Sequence, residues 1–147
     1  IVLLALVDLP PGTPICPGEI SYGAKMFREW LERQACDLLE PDIPNSGGAI
    51  EIRRIAELAE MYHMSIAPHY MKSPVTGMAA VHICATIPNF LALEHHSRNI
   101  PLWGRMLDIK EPIQQGYVTV PDGPGLGIEL DEAEISKALP AGTPWWS

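Results

Sequence analysis

The stretch DLLEPDIPNSGGAIEIRRIAELAEMYHMSIAPH, residues 37–69, decides the fold. Residues 37–40 read as a short apolar strand closed by Pro41-Asp42, and a Gly47-Gly48 turn follows. The turn leads into a helix whose apolar face is Ile52, Ile55, Ala56 and Ala59, the spacing of one stripe of an α-helix. Residues 64–67 then make the next strand, ending in Pro68-His69. A strand, a helix and a second strand in this order imply a right-handed crossover and a parallel sheet.

The same unit recurs on both sides. Upstream, residues 13–16 form a short apolar stretch, followed by Pro17-Gly18-Glu19 and a helix with Ser21 as N-cap and Phe27, Trp30 and Leu31 on its buried face. Downstream, Ser73-Pro74 supplies an N-cap and a proline at the first helical position. That helix runs to about Ala85, and residues 90–93 form a fourth strand ending in Glu94. All four strands are short and apolar throughout, as strands covered on both faces are.

The rhythm stops after Glu94. Residues 95–116 read as irregular, residues 117–120 as a strand, and Pro121-Asp122-Gly123-Pro124-Gly125 as a turn. Asp131 caps a short helix to about Leu139, with Glu134 three positions on. The expected organisation is α/β, about four βα units on a parallel sheet over residues 1–97, with an extension of strand and short helix over residues 98–147.

Composition narrows the function classes. With 147 residues, 47% of them hydrophobic and 19% charged, the chain has the make-up of a folded domain with a real core. A net charge of −8 argues against a nucleic-acid-binding surface, which needs a basic face. Cys16, Cys36 and Cys84 are widely spaced with no CxxC pair, which fits thiols in a reducing compartment, so the expected location is cytoplasmic. Residues 1–7 are apolar but too few to span a bilayer, and no basic leader precedes them. No membrane partner is expected. The chain opens without Met, on what reads as the end of an element, as though entered in the middle of a longer one.

Each strand delivers one ionisable residue at its C-terminal end: Glu19, Asp42, His69 and Glu94, separated by 23, 27 and 25 residues. In a parallel barrel these ends converge on one mouth, where active sites of the architecture lie. Any one of them alone reads as a cap or loop residue. Four at matched positions read as a site.

On these residues the chain resembles the mandelate racemase/muconate lactonizing group of the enolase superfamily. Gly18-Glu19, Glu40-Pro41-Asp42 with Gly47-Gly48 following, Ala67-Pro68-His69, and Leu93-Glu94 are similar to that group's strand 5, 6, 7 and 8 motifs. Residues 120–127 resemble the segment that returns to its capping domain. Within the group the pattern is nearest to acid-sugar dehydratases of the galactonate type. The resemblance implies the C-terminal half of a TIM-type barrel and removal of a proton α to a carboxylate from a small acid sugar or other carboxylate, most naturally a dehydration. Racemisation or epimerisation is the alternative within the superfamily. It implies Mg²⁺ as cofactor with Glu19 as one of three metal ligands, His69 as general base or acid, Asp42 as the group orienting that imidazole, and Glu94 as the partner of the developing enediolate oxygen. The other two metal ligands belong to strands upstream of this segment, so the 147 residues alone are expected to be inactive, and a non-catalytic half barrel is the second alternative.

Other residues are read more plainly. His95 and His96 are adjacent and point to opposite faces, which suits loop or interface residues more than a metal pair. His82 falls in a helix and is expected to pack against it. Trp103, Trp145 and Trp146 are expected at a domain or subunit contact, and Gly123, Gly125 and Gly127 do not sit between a strand and a long helix as a nucleotide loop would. Half a barrel has two edge strands, here those ending at Glu19 and Glu94, and an open inner face. A homo-oligomer is therefore expected, unless residues 95–147 cover the open side.

Overall fold

The computed structural model describes residues 10–96, 100–109 and 113–143. Two parallel strands lie at its centre: β1 (Leu38–Leu39) pairs with β2 (Ser65–Ile66), Leu38 opposite Ser65 and Leu39 opposite Ile66. The alignment continues past both, with Asp42 bridged to His69. An extended lane lies on each side. The Ile15 carbonyl accepts from Asp37 and Leu38, and the Pro17 carbonyl accepts from Glu40. On the far side Ile66 bridges Phe90, Leu91 N–H reaches the Ile66 carbonyl at 2.9 Å, and Glu94 N–H reaches that of Pro68 at 3.1 Å.

The two outer lanes, expected as full strands, lack regular strand pairing. Pro14 and Pro17 carry no N–H, so the first lane has fewer ladder donors than a strand of its length. Each outer lane also has a described partner on one side only. They remain extended, and the expected four-lane parallel arrangement is present.

Burial alternates along the central strands. Leu39 and Ile66 are fully enclosed, whereas Leu38, Glu40, Ser65, Ala67 and His69 are half-buried. A strand sends successive side chains to opposite faces, so one face meets the helices and the other faces the barrel interior. On the helix side, Phe27 and Leu31 of α1 (Gly23–Glu32) and Ile52, Ile55, Ala56 and Ala59 of α3 (Ala49–Met61) close over Leu39 and Ile66. Removing one such side chain, Ile55→Ala for example, costs about 2–5 kcal/mol. The half-exposed inner face is the open side of an incomplete barrel.

The helix ends follow local chemistry. Ser73 Oγ accepts from Thr76 N–H at the start of α4 (Pro74–Cys84), as its sequence implies. Asp131 caps α6 (Glu132–Ala138) through Glu134 N–H. Ser21 does not cap α1. Tyr22 occupies the cap position without a side-chain bond, and Glu51 Oε1 of α3 instead accepts from Ala24 N–H at 2.8 Å. A one-turn helix, α2 (Ile43–Ser46), precedes the Gly47-Gly48 turn.

The extension contains α5 (Trp103–Met106) and a hairpin of β3 (Ile113–Gln114) and β4 (Tyr117–Val118). Gln115 and Gly116 turn that hairpin, both at positive φ, the geometry of a tight hairpin turn. The expectation of irregular chain through residue 116 is corrected there. The extension packs on α4, where His82 Nε2 lies 3.0 Å from the Leu126 carbonyl oxygen. Trp145 and Trp146 lie outside the described residues.

Candidate active site at the strand ends

Glu19 follows Gly18, whose φ of +144° no side chain adopts readily. A Cβ there would stand 2.8 Å from the Phe27 ring and 2.9 Å from the Glu40 backbone, so glycine lets the first lane close against β1. The half-buried Glu19 carboxylate accepts from the Gly18 N–H at 3.2 Å, and the Glu19 carbonyl accepts from Asn45 Nδ2 at 2.7 Å. The same Asn45 offers its backbone N–H to Asp42 Oδ1 at 2.9 Å. Asn45 thereby ties the Glu19 loop to the end of β1.

Asp42 is fully buried, and its Oδ2 has no hydrogen-bond partner among the described residues. The backbones of Asp42 and His69 pair, but the expected side-chain hydrogen bond between them is not formed. Capping explains it: Oδ1 is committed to the first turn of α2. The imidazole is held elsewhere. His69 Nδ1 meets Glu94 Oε2 in a short hydrogen bond, and Glu40 Oε1 lies 3.8 Å from the same nitrogen. The other Glu94 oxygen meets Nε2 of His96.

Two members of this cluster were not among the four strand-end candidates. His96, read as a loop residue, joins Glu94, whereas His95 turns the other way and packs edge-on against Tyr70 with ring centroids 4.8 Å apart. Opposite orientation of the adjacent pair is as expected; the loop role of His96 is not. Glu40 lies two residues before Asp42, and on a strand that parity marks the same face.

Burial, then the neighbouring carboxylates of Glu94 and Glu19, push Glu40 up to about 8. Burial also works against ionisation of Glu94, but hydrogen bonds with Glu40, His69 and His96 outweigh it and hold Glu94 down at about 2. One carboxyl of the pair keeps its proton at neutral pH and the other does not. Cys16, beside this cluster, is pushed up to about 12 by burial and then by Glu40, and Cys36 and Cys84 to about 11 and 12 by burial. None of the three is a thiolate nucleophile at neutral pH.

The raised Glu40 has a consequence for stability. A carboxyl with a folded-state value above its unfolded 4.5 keeps its proton longest in the native state, so its contribution is fully present below that value and is lost as pH rises through about 8. Glu40→Gln is therefore expected to raise Tm at pH 8 and leave it unchanged at pH 4, as scanning calorimetry at the two pH values would show. An equal shift at both would contradict the assignment.

His69, Glu94 and His96 also bring one ligand atom each within 4.8 Å of one another. Their contacts pair imidazole nitrogens with carboxylate oxygens, the pattern of a proton-sharing network. For a hard cation such as Mg²⁺, oxygen ligands are required. Glu19 offers one carboxylate whose described hydrogen bonding is confined to its own backbone neighbour, which fits one ligand of a larger set.

A cavity of about 560 Å³ lies apart from these groups, between α4 and the extension, lined by Tyr70, Met78, His95, Trp103, Leu107 and Val118 among others. None of the four strand-end residues lines it. Trp103 is half-buried within the chain, stacked on Tyr70 at 6.1 Å. Among the described residues no helix is long and apolar enough to cross a membrane.

Parallel lanes that carry ionisable groups at their C-terminal ends, with helices on one face, define half of a (β/α) barrel. The family described as enolase C-terminal domain-like, of the mandelate racemase/muconate lactonizing type, matches residues 3–134. The chain belongs to that family. It is 43% identical over 126 residues to a D-xylonate dehydratase of Haloferax volcanii, covering 86% of this chain and 31% of that protein. It is 31% identical over 136 residues to a D-galactonate dehydratase of Ralstonia pickettii, covering 86% and 36%. The crystal structure of a mandelate racemase/muconate lactonizing enzyme-like protein from Rubrobacter xylanophilus superposes with a TM-score of 0.84 at 38% identity, covering 92% of this chain and 35% of that one. The chain thus spans about a third of the length of these relatives.

Proposed function

We propose that this segment is the C-terminal half of the barrel of an acid-sugar dehydratase, and that it contributes the proton-transfer side of the active site. The observation that carries the reading is the His69 imidazole held at its Nδ1 by Glu94, with Glu40 alongside, at the ends of parallel strands. Similarity to a D-xylonate dehydratase at 43% identity supports dehydration over racemisation or epimerisation.

The chemistry follows from the side chains. A carbon α to a carboxylate is a weak acid, and His69 is the base at this mouth that would take its proton. Engagement of Nδ1 leaves Nε2 as the nitrogen for proton transfer. As the carboxylate of the substrate gains negative charge, a carboxyl that still carries a proton can hydrogen-bond to it. The pair of Glu94 and Glu40 holds such a proton. Asp42 fixes the end of β1 through its cap of α2, and its unpartnered oxygen beside the His69 backbone is open to a second role when substrate rearranges the mouth.

Glu19 would be one ligand of a Mg²⁺ ion, which when bound neutralises charge on the substrate carboxylate. The remaining oxygen ligands would come from barrel strands upstream of the segment. The 147 residues alone are then inactive, and the catalytic unit joins two half barrels. Residues 1–97 would form the barrel part and residues 98–147 an extension toward a capping domain. A cytoplasmic homo-oligomer without nucleic-acid or membrane partners is the setting proposed.

Incubating the full-length enzyme with D-xylonate and D-galactonate in turn, with and without EDTA, tests the reading. A 2-keto-3-deoxy acid is expected from at least one, with formation lost on chelation and regained with Mg²⁺. Interconversion of epimers without loss of water would favour the racemase reading instead.

A further inference from the structure

We propose that His96 is a specificity-determining residue: at the outer rim of the mouth, beside Glu94, its imidazole hydrogen-bonds the C4 hydroxyl of the acid sugar. This rests on the reading of the mouth as an acid-sugar dehydratase site, and deepens it by naming the hydroxyl that is read. Backbone geometry puts His96 there. The outer lane that carries Glu94 keeps its alignment this far: Glu94 N–H reaches the Pro68 carbonyl at 3.1 Å and His96 N–H the Tyr70 carbonyl at 3.4 Å. Alternate residues of an extended lane share a face. His96 therefore turns to the mouth with Glu94, while His95 turns back against Tyr70. The rings of His96 and His69 stand 5.6 Å apart, and the Glu94 carboxylate meets one nitrogen of each.

Exposure rises in order along this group. The side chain of His69 is 13% exposed, that of Glu94 36% and that of His96 46%. An acid sugar that gives its carboxylate to Glu94 and its C2 proton to His69 runs its remaining carbons outward, past His96. Its C3 hydroxyl is the leaving group. The first hydroxyl that takes no part in the bonds made and broken is the one on C4. One ligand atom each of His69, Glu94 and His96 lie within 4.8 Å of one another, a span comparable with the reach of four bonded carbons.

The contact suits a hydroxyl. An ionised carboxylate only accepts, so the His96 nitrogen that meets it carries hydrogen, whereas a hydroxyl both donates and accepts. Entering between the two, the C4 hydroxyl accepts from His96 Nε2 and donates to Glu94 Oε1, so one contact becomes two to the substrate. The C4 epimer carries its hydroxyl on the other side of the chain and makes neither bond.

Pairs of C4 epimers test this on the full-length enzyme. D-Xylonate and L-arabinonate differ at C4 alone, as do D-gluconate and D-galactonate, and D-gluconate shares the D-xylonate configuration from C2 to C4. In the wild type kcat/KM is expected to favour D-xylonate over L-arabinonate, and D-gluconate over D-galactonate, by roughly tenfold or more, the scale of a hydrogen bond shared with a charged group. His96→Ala is expected to bring both ratios to within about twofold, a loss of binding to the C4 hydroxyl alone. His96→Phe keeps a ring without hydrogen-bonding atoms and should do the same. His96→Asn keeps a donor and should retain a preference of the same sense. A structural histidine would slow both epimers alike, so wild-type ratios in His96→Ala would overturn the proposal. A wild type without the C4 preference would overturn it too. Should His96→Ala not fold, His96→Phe is read by the same criteria. Turnover of none of the four acids would sink the reading of the site and this proposal with it, whereas turnover with unchanged ratios sinks the proposal alone.

Discussion

His69→Asn in the full-length enzyme is expected to lower kcat for D-xylonate dehydration by about 10²–10⁴, the range that a positioned acid–base group supplies. KM should stay within a few-fold, because the imidazole meets the reacting proton and not the body of the sugar acid. Asparagine keeps a hydrogen-bonding side chain near Glu94 but cannot take a proton at neutral pH. Steady-state kinetics on the variant separates the cases. Parallel loss of kcat and substrate affinity, with a lowered Tm, would mark His69 as a structural residue.

A large effect on stability is expected at Gly77, on α4. A Cβ built on Gly77 would stand 2.4 Å from Cζ and 2.8 Å from both Cε atoms of Tyr70. Tyr70 is only 2% exposed and packs against His95 and Trp103, so its ring has nowhere to retreat. Overpacking of a tight core costs about 1–3 kcal/mol and sometimes more. Gly77→Ala is expected at the upper end, with Tm lowered by roughly 10 °C at the usual few degrees per kcal/mol. Gly104→Ala is the control, since nothing lies within 4 Å of the added atom. A Gly77→Ala protein as stable as the wild type would mean that α4 does not lie against Tyr70 as described.

Much of this was legible in the sequence, for reasons that differ between elements. The helix over Ala49–Met61 was readable because Ile52, Ile55, Ala56 and Ala59 repeat with the helical period and all four are buried. The caps at Ser73 and Asp131 were readable because a short polar side chain before an apolar run has few better uses. Ser21 looked the same, yet the Ala24 N–H is met by Glu51, 27 residues further along the chain. Nothing in the local sequence announces that contact. The hairpin at Ile113–Val118 was partly hidden because its turn is Gln115-Gly116, without the Asn-Gly or Asp-Gly that marks such turns.

The site divides along the same line. Spacing of one βα unit brought Glu19, Asp42, His69 and Glu94 to equivalent places, and the lanes do run in parallel to those ends. Spacing does not say which side chains touch. Asp42 turned to its own helix cap, and His69 was left to Glu94 and Glu40. The parity of Glu40 with Asp42 was a signal present in the sequence, since alternate residues of a strand share a face. For His96 the adjacent-residue argument held, but it applied equally to either member of the pair. Only the fold says that His96 is the one facing the mouth.

The proposed reaction at this mouth removes a proton α to a carboxylate and so drives loss of the neighbouring hydroxyl. Dehydration of D-xylonate by this route breaks the C2–H and C3–OH bonds and gives an enol, which takes one solvent proton at C3 on becoming the 2-keto acid. Proton NMR of the reaction run by the full-length enzyme in D₂O tests it most directly. The expected result is a 2-keto-3-deoxy product with a single deuteron at C3, formed by the His69→Asn enzyme about 10²–10⁴-fold more slowly. Product without deuterium at C3, or wild-type amounts of it from the variant, would contradict the claim.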